Sequence, residues 1–177
     1  MHFMNKYIFL DRDGVLNVDK RYVHKIEDLE ILPGVIEGLK GLSDLGYKFI
    51  VVTNQAGIAR GYYGEEHARL FNEELARRLE EHGIEIEKFY LCPHHPEFTG
   101  DCECRKPKPT LALQAASEFG FEIKDSIFIG DKDSDIEFGK NCGGRTILVT
   151  NGQYQNEMVA DFQVNNLEEV CGILKNI

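Results

Sequence analysis

An Asp-Arg-Asp-Gly run at residues 11 to 14 sets two carboxylates one residue apart, directly after an apolar stretch. Asp11 can ligate a divalent cation or attack an electrophile, and Asp13 can donate or accept a proton. A plain Asp-Gly turn with solvated carboxylates has the same pattern, and the run alone does not separate the two. Other groups join it. Thr53-Asn54-Gln55 offers a hydroxyl and two amides to phosphate oxygens, Lys106 offers a cation, and Gly130-Asp131-Lys132-Asp133-Ser134-Asp135 forms a second acidic cluster. These groups fall at the ends of predicted strands or close after a loop. Ligands of open α/β sheets bind at the carboxyl ends of the strands. Carboxylates, a hydroxyl and a lysine converging on one rim favour a phosphate site over a solvated turn.

A second chemistry lies in the loop from Cys92 to Pro109. Cys92-Pro93-His94 and Cys102-Glu103-Cys104 are two pairs with the same i, i+2 spacing. In extended chain that spacing puts both side chains of a pair on one side, with His95 turned the other way. Together they make a Cys₃His set, a closed tetrahedral site for structural Zn²⁺. Its value would be geometric, because Cys104 immediately precedes Arg105 and Lys106. The cysteine total is five, an odd number, and the opening MHFMNKYIFL lacks the charged start and cleavage site of an export signal. Both features point to metal rather than disulfides, and to the cytoplasm. Cys142 and Cys171 read as small buried hydrophobes.

The elements that must position these groups follow from hydrophobic periodicity. Strands are predicted at Tyr7–Leu10, Phe49–Val52, Phe89–Leu91, Ser126–Ile129, Thr146–Val149 and Phe162–Val164, nearly continuous apolar runs of the kind covered on both faces. Helical stripes run through Val35, Leu39, Leu42 and Leu45, through Phe71, Leu75 and Leu79, and through Leu111, Ala115 and Phe119. Gly46, Gly83 and Gly120 close them. The alternation predicts a doubly wound, Rossmann-like parallel α/β sheet with helices on both faces. The 177 residues, 42% hydrophobic, suit one domain spanning residues 1–177. No apolar run reaches the roughly 20 residues of a membrane span. The net charge of −10 disfavours nucleic acid and acidic membranes as partners.

The four groups, in order, resemble the four motifs of the haloacid dehalogenase superfamily of phosphatases. Within it the stretch from Tyr7 to Val149 is similar to the D-glycero-D-manno-heptose-1,7-bisphosphate 7-phosphatases. That similarity includes Tyr22-Val23-His24, the run from Thr53 to Gly61 and the cysteine loop. The resemblance implies that Asp11 attacks phosphorus to form an aspartyl-phosphate. Asp13 would protonate the leaving sugar oxygen and later deprotonate water, a role that suits a raised pKa beside a second carboxylate. Mg²⁺ would be held by the Asp11 carboxylate, the Asp13 backbone carbonyl and Asp131, with the share of Asp133 and Asp135 open. Thr53 and Lys106 would stabilise the charge of the transferring phosphoryl group, and Lys132 would contact phosphate or substrate.

The resemblance also implies sugar contacts from Asp19, Lys20, Arg21, Tyr22, Gln55, Ala56 and Arg105, beside the Asn54 amide. Arg105 suits a distal phosphate, since guanidinium pairs bidentately with it. His24 and Arg60 read as residues that order loops. Neither the interval Asp13–Thr53 nor Thr53–Lys106 has room for a cap domain, so specificity is expected from loops around an open site, in a chain compatible with a monomer. Histidinol phosphate is the alternative substrate, disfavoured by the cationic Arg21 and Arg105. A receiver-like signalling domain is a remoter alternative, since receivers carry their phosphorylated Asp after the third strand. No residue distinguishes the α from the β anomer.

Overall fold

The computed structural model describes residues 6–176, so residues 1–5 of the opening MHFMNKYIFL lie outside the described residues. In chain order the elements are β1 (Lys6–Leu10), α1 (Val35–Asp44), β2 (Tyr47–Asn54), α2 (Ala56–Ala59), α3 (Glu65–Glu80) and β3 (Ile86–Cys92). They continue with α4 (Pro96–Thr99), α5 (Thr110–Phe119), β4 (Ile127–Gly130), α6 (Asp133–Asn141), β5 (Arg145–Val149), β6 (Phe162–Val164) and α7 (Leu167–Leu174). Among the described residues no helix is long and apolar enough to cross a membrane.

All six strands are parallel, in the order β3-β2-β1-β4-β5-β6. This is the doubly wound arrangement whose order reverses between β1 and β4, and the crevice for ligands opens at that point. Parallel strands need both faces covered, and β1 shows how alternation achieves it. Ile8 and Leu10 enter one core with Leu39 and Leu42 of α1, Phe71 and Leu75 of α3, and Val170 of α7. Tyr7 and Phe9 enter the opposite core with Leu111 and Ala115 of α5 and Phe138 of α6. There Phe9 and Phe128 stack at 4.7 Å, and Phe138 meets both edge-on. Removing such a ring costs about 3–5 kcal/mol.

Left-handed glycines terminate the three helices foreseen from periodicity, at Gly46, Gly83 and Gly120. Neither interval between motifs contains an inserted domain. Asp11–Gly46 holds one loop and α1, and the chain from Gln55 to Lys106 holds α2, α3, β3 and the cysteine loop with its single helical turn, α4.

Candidate active site

β1, β2 and β4 end at one rim and deliver Asp11, Thr53 and Asp131 to it. The turn after β1 is tight: the Leu16 amide bonds the Arg12 carbonyl at 2.9 Å and the Gly14 amide bonds the Asn17 carbonyl at 2.8 Å. Gly14 has φ +85°, and a Cβ there would stand 2.1 Å from Asp131 Oδ2, so only glycine lets the two loops approach. Gly130 allows a similar approach to Asp135.

Lys106 is buried at the centre of the rim. Its ammonium donates to Asp11 Oδ1 at 3.1 Å, Asp135 Oδ1 at 2.6 Å and the Val52 carbonyl at 2.7 Å, which uses all three protons. Burial alone would lower its pKa, but Asp11 and Asp135 raise it, so it stays cationic. Asn54 fixes the Lys106 backbone from both sides, accepting from its amide at 3.0 Å and donating to its carbonyl at 3.2 Å. The carboxylates of Asp11, Asp131 and Asp135 approach within 4.8 Å of one another. Burial, then the two neighbouring acids, push Asp131 up to about 8, and Asp131 Oδ1 is buried without a partner. Asp11 is also raised, first by burial and then by Asp135. Three buried acids and one lysine leave excess negative charge, so a divalent cation fits between Asp11 and Asp131. Asp133 turns away, accepting from the Glu157 and Met158 amides.

Asp13 departs from expectation. Burial would raise its pKa, but Arg12, Asn17 and Gln55 lower it below the ordinary range. Arg12 is fully buried and donates from Nε and Nη2 to the two Asp13 oxygens, from Nη1 to Asn72 and from Nη2 to the Val23 carbonyl, with Phe71 4.4 Å beneath. Arg12 was missed in the sequence, yet alternation gives the signal. If residues 11 and 13 face the rim, residue 12 faces the core, and a buried arginine must have partners.

The cleft, about 460 Å³, is bordered by Asp19, Arg21, Tyr22, Asn54, Gln55, Ala56, Arg105 and Lys132 of the expected residues, with Tyr63, Ser134 and Tyr154 unforeseen. Lys20 is not on it: it faces solvent and pairs with Glu30 at 3.4 Å. Thr53 lies buried behind Gln55, whose amide donates to its hydroxyl at 2.8 Å and to Asp13 at 3.0 Å, while Tyr63 donates to the Gln55 carbonyl oxygen. His24 stacks on Tyr63, and Arg60 lies against Tyr22 and Phe98. A larger hollow of about 780 Å³ lies at the opposite end of the sheet, lined by Lys6, Tyr47, Lys124 and Arg145 among others. Neither cluster of metal-ligating side chains found among the described residues borders it, whereas Asp11 and Asp135 of the carboxylate cluster line the smaller cleft.

In the cysteine loop the three thiols meet: Cys92–Cys104 at 2.7 Å, Cys92–Cys102 at 3.6 Å and Cys102–Cys104 at 3.7 Å. The His94 ring is not part of that group, though its carbonyl accepts from Arg105 Nη1 at 3.1 Å. Mutually facing sulfurs with no disulfide, Cys92 buried and Cys102 and Cys104 half-buried, are a donor set for a soft cation.

Comparison with known proteins agrees with this geometry. Residues 103–171 match a family model described as HAD-hydrolase-like. The chain is 44% identical over 171 residues to a D-glycero-alpha-D-manno-heptose-1,7-bisphosphate 7-phosphatase of Photorhabdus laumondii, covering 93% of each. It is 40% identical over 182 residues to the beta-named counterpart of Haemophilus influenzae, covering 98% of this chain and 99% of the relative. A crystal structure of the D,D-heptose 1,7-bisphosphate phosphatase from B. bronchiseptica, complexed with magnesium and phosphate, superposes with a TM-score of 0.84 at 26% identity, covering 97% of this chain and 98% of that one. Such likeness over nearly the whole length removes the receiver-like alternative, and the chain belongs to the D-glycero-D-manno-heptose-1,7-bisphosphate 7-phosphatase family of haloacid dehalogenase-like hydrolases.

Proposed function

We propose that this protein is a Mg²⁺-dependent phosphatase that removes the 7-phosphate of D-glycero-D-manno-heptose 1,7-bisphosphate through an aspartyl-phosphate on Asp11. The observation that carries the chemistry is the placement of Asp11 at the sheet's reversal point, 3.1 Å from the Lys106 ammonium and beside the partnerless Asp131 oxygen.

Asp11 Oδ1 is held by Lys106 and by the Arg12 amide at 2.8 Å, which leaves Oδ2 to attack phosphorus. As the new O–P bond forms, the bond from phosphorus to the sugar oxygen breaks, and Asp13 gives its proton to that oxygen. Asp13 then takes a proton from water as the water attacks the aspartyl-phosphate, which frees inorganic phosphate and regenerates Asp11. Asp13 rests ionised under Arg12; the negative charge of an arriving phosphate would raise its pKa and let it enter the cycle protonated. Lys106 and the Thr53 hydroxyl stabilise the equatorial oxygens. Asp11, Asp131 and the Asp13 backbone carbonyl would hold Mg²⁺, which supplies further positive charge to the phosphoryl oxygens when bound. The relative crystallised with magnesium and phosphate supports that choice of ion.

Arg21 and Arg105 on the cleft wall suit the second phosphate of a bisphosphate better than the imidazole and ammonium of histidinol phosphate. Zn²⁺ on Cys92, Cys102 and Cys104, with His94 as fourth ligand, would fix Arg105 and Lys106 in place. The test is phosphate release with Mg²⁺ from both anomers of heptose 1,7-bisphosphate and from histidinol phosphate. Release of the 7-phosphate alone is expected from the bisphosphate. Preference for histidinol phosphate would overturn the substrate and leave the catalytic roles standing.

A further inference from the structure

Between β5 and β6 the chain runs from Thr150 to Asp161 without helix or strand, and side-chain hydrogen bonds fasten it to the active site. Asn151 Nδ2 donates to Asp131 Oδ2 and to the Gly14 carbonyl, both at 3.1 Å. Asn156 Nδ2 donates to the Asp131 carbonyl at 3.0 Å, and Asp133 holds the next two amides. Between these anchors the strap crosses to the loop after β1. Gln153 Nε2 donates to the Asp19 carbonyl at 3.2 Å, and the Tyr154 hydroxyl donates to Asp19 Oδ2 at 2.7 Å. Tyr154 also borders the cleft and carries the Lys132 ammonium 4.5 Å from its ring centre. None of the catalytic roles requires the Tyr154 phenol.

What Tyr154 holds is a strained turn. Asp19 Oδ1 accepts from the Arg21 amide at 2.9 Å, and Arg21 and Tyr22 have left-handed φ of 56° and 53°. Such backbone persists in non-glycine residues only where its surroundings over-determine it. Without the phenol, the donors left to the Asp19 carboxylate among the described residues are the Arg21 backbone amide and the Lys132 ammonium, 3.5 Å away.

We propose that Tyr154 is a specificity-determining residue for the sugar phosphate: its ring is the wall against which the carbon face of the sugar packs, and its hydroxyl holds Asp19 so that Arg21 and Tyr22 face it across the cleft. This deepens the heptose-phosphatase reading and rests on it. An aromatic face beside a carboxylate and amides offers an apolar surface to ring C–H groups and acceptors to hydroxyls. In a protein without a cap domain, the 150–158 strap supplies that wall.

The test compares kcat/KM for wild type, Tyr154→Phe and Tyr154→Ala on heptose 1,7-bisphosphate and on p-nitrophenyl phosphate, which has the reacting group but no polyol. The expected result is a sugar-to-aryl ratio lowered roughly tenfold in Tyr154→Ala, equivalent to about 1.4 kcal/mol, and by a smaller factor in Tyr154→Phe. The change should sit mainly in KM for the sugar. An unchanged ratio, or equal losses on both substrates, overturns the proposal. If the alanine variant does not fold, the nearly isosteric phenylalanine variant decides by the same ratio. Fructose 1,6-bisphosphate and glucose 6-phosphate are run beside them. A wild type that prefers one of these overturns the heptose assignment alone, and the ratio is then taken with that sugar. A wild type with no preference for any sugar phosphate over the aryl ester overturns both.

Discussion

Arg12, with no exposed surface, grips both oxygens of Asp13 at 2.9 and 3.0 Å and so ties the carboxylate proposed as the acid–base group to α3 and to the loop that borders the cleft. A planar fork holds a carboxylate in one orientation, and a lysine in the same place supplies only a point charge. Arg12→Lys is therefore expected to lower kcat at least about tenfold while KM moves less, since what is lost is orientation of the proton-transfer group. Arg12→Met, which leaves Asp13 without its buried partner, should cost about 3–5 kcal/mol of stability. Steady-state kinetics and denaturant unfolding check the pair; a lysine variant with wild-type kcat would remove Arg12 from any positioning role.

Asp11→Asn replaces the proposed nucleophile with a near-isostere that still accepts from Lys106. Turnover should fall by more than about a thousandfold with the unfolding transition intact. Retention of a tenth of wild-type activity would place the nucleophile elsewhere.

The Asp131 environment gives a pH dependence with a defined sign. Its pKa rises from 3.8 to about 8 because burial and the neighbouring acids disfavour its charge. A group raised in the folded state stabilises fully below its unfolded value, and that contribution is lost as pH climbs through the folded value. Magnesium-free protein should lose this contribution between about pH 4 and pH 8. The ionised carboxylate is also the form that binds a cation, so the rise in Tm on adding Mg²⁺ should grow across that interval. Melting curves in magnesium-free and magnesium-containing buffer measure it; a magnesium shift independent of pH would separate the ion from Asp131.

If the cysteine loop holds zinc as proposed, stripping it should lower activity although no proposed catalytic group is lost, because Cys104 precedes Arg105 and Lys106 and Arg105 bonds the His94 carbonyl. Cys104→Ser should yield protein with less than one zinc per chain and reduced turnover with Mg²⁺ in excess. Full activity in protein shown by metal analysis to be zinc-free would assign the thiols another role.

How much of this was legible follows the physics of each feature. The six strands and three of the helices announce themselves by apolar periodicity, and the rim residues by type and position after strands. Whether a residue faces the cleft is a tertiary matter. Lys20 sits among cleft residues in the chain yet pairs outward with Glu30, because the left-handed turn at Arg21 and Tyr22 presents those two instead. The lowered pKa of Asp13 depends on Asn72 and Val23 holding Arg12, contacts no local pattern records. The 150–158 strap is silent for a related reason. Its bonds run from side chains to distant carboxylates and carbonyls, so it has neither helical nor strand period.

The central pairing of β1 with β4, Ile8 against Ile127, joins chain segments made early and late in synthesis. Asp11 therefore leaves the ribosome well before Lys106, Asp131 and Asp135 exist to complete its surroundings. Because long-range closure comes late in folding, the reactive carboxylate gains its partners only when most of the polypeptide is finished. A prematurely terminated chain ending before β4 would carry Asp11 and Lys106 without Asp131 and Asp135, the acids that complete the rim cluster.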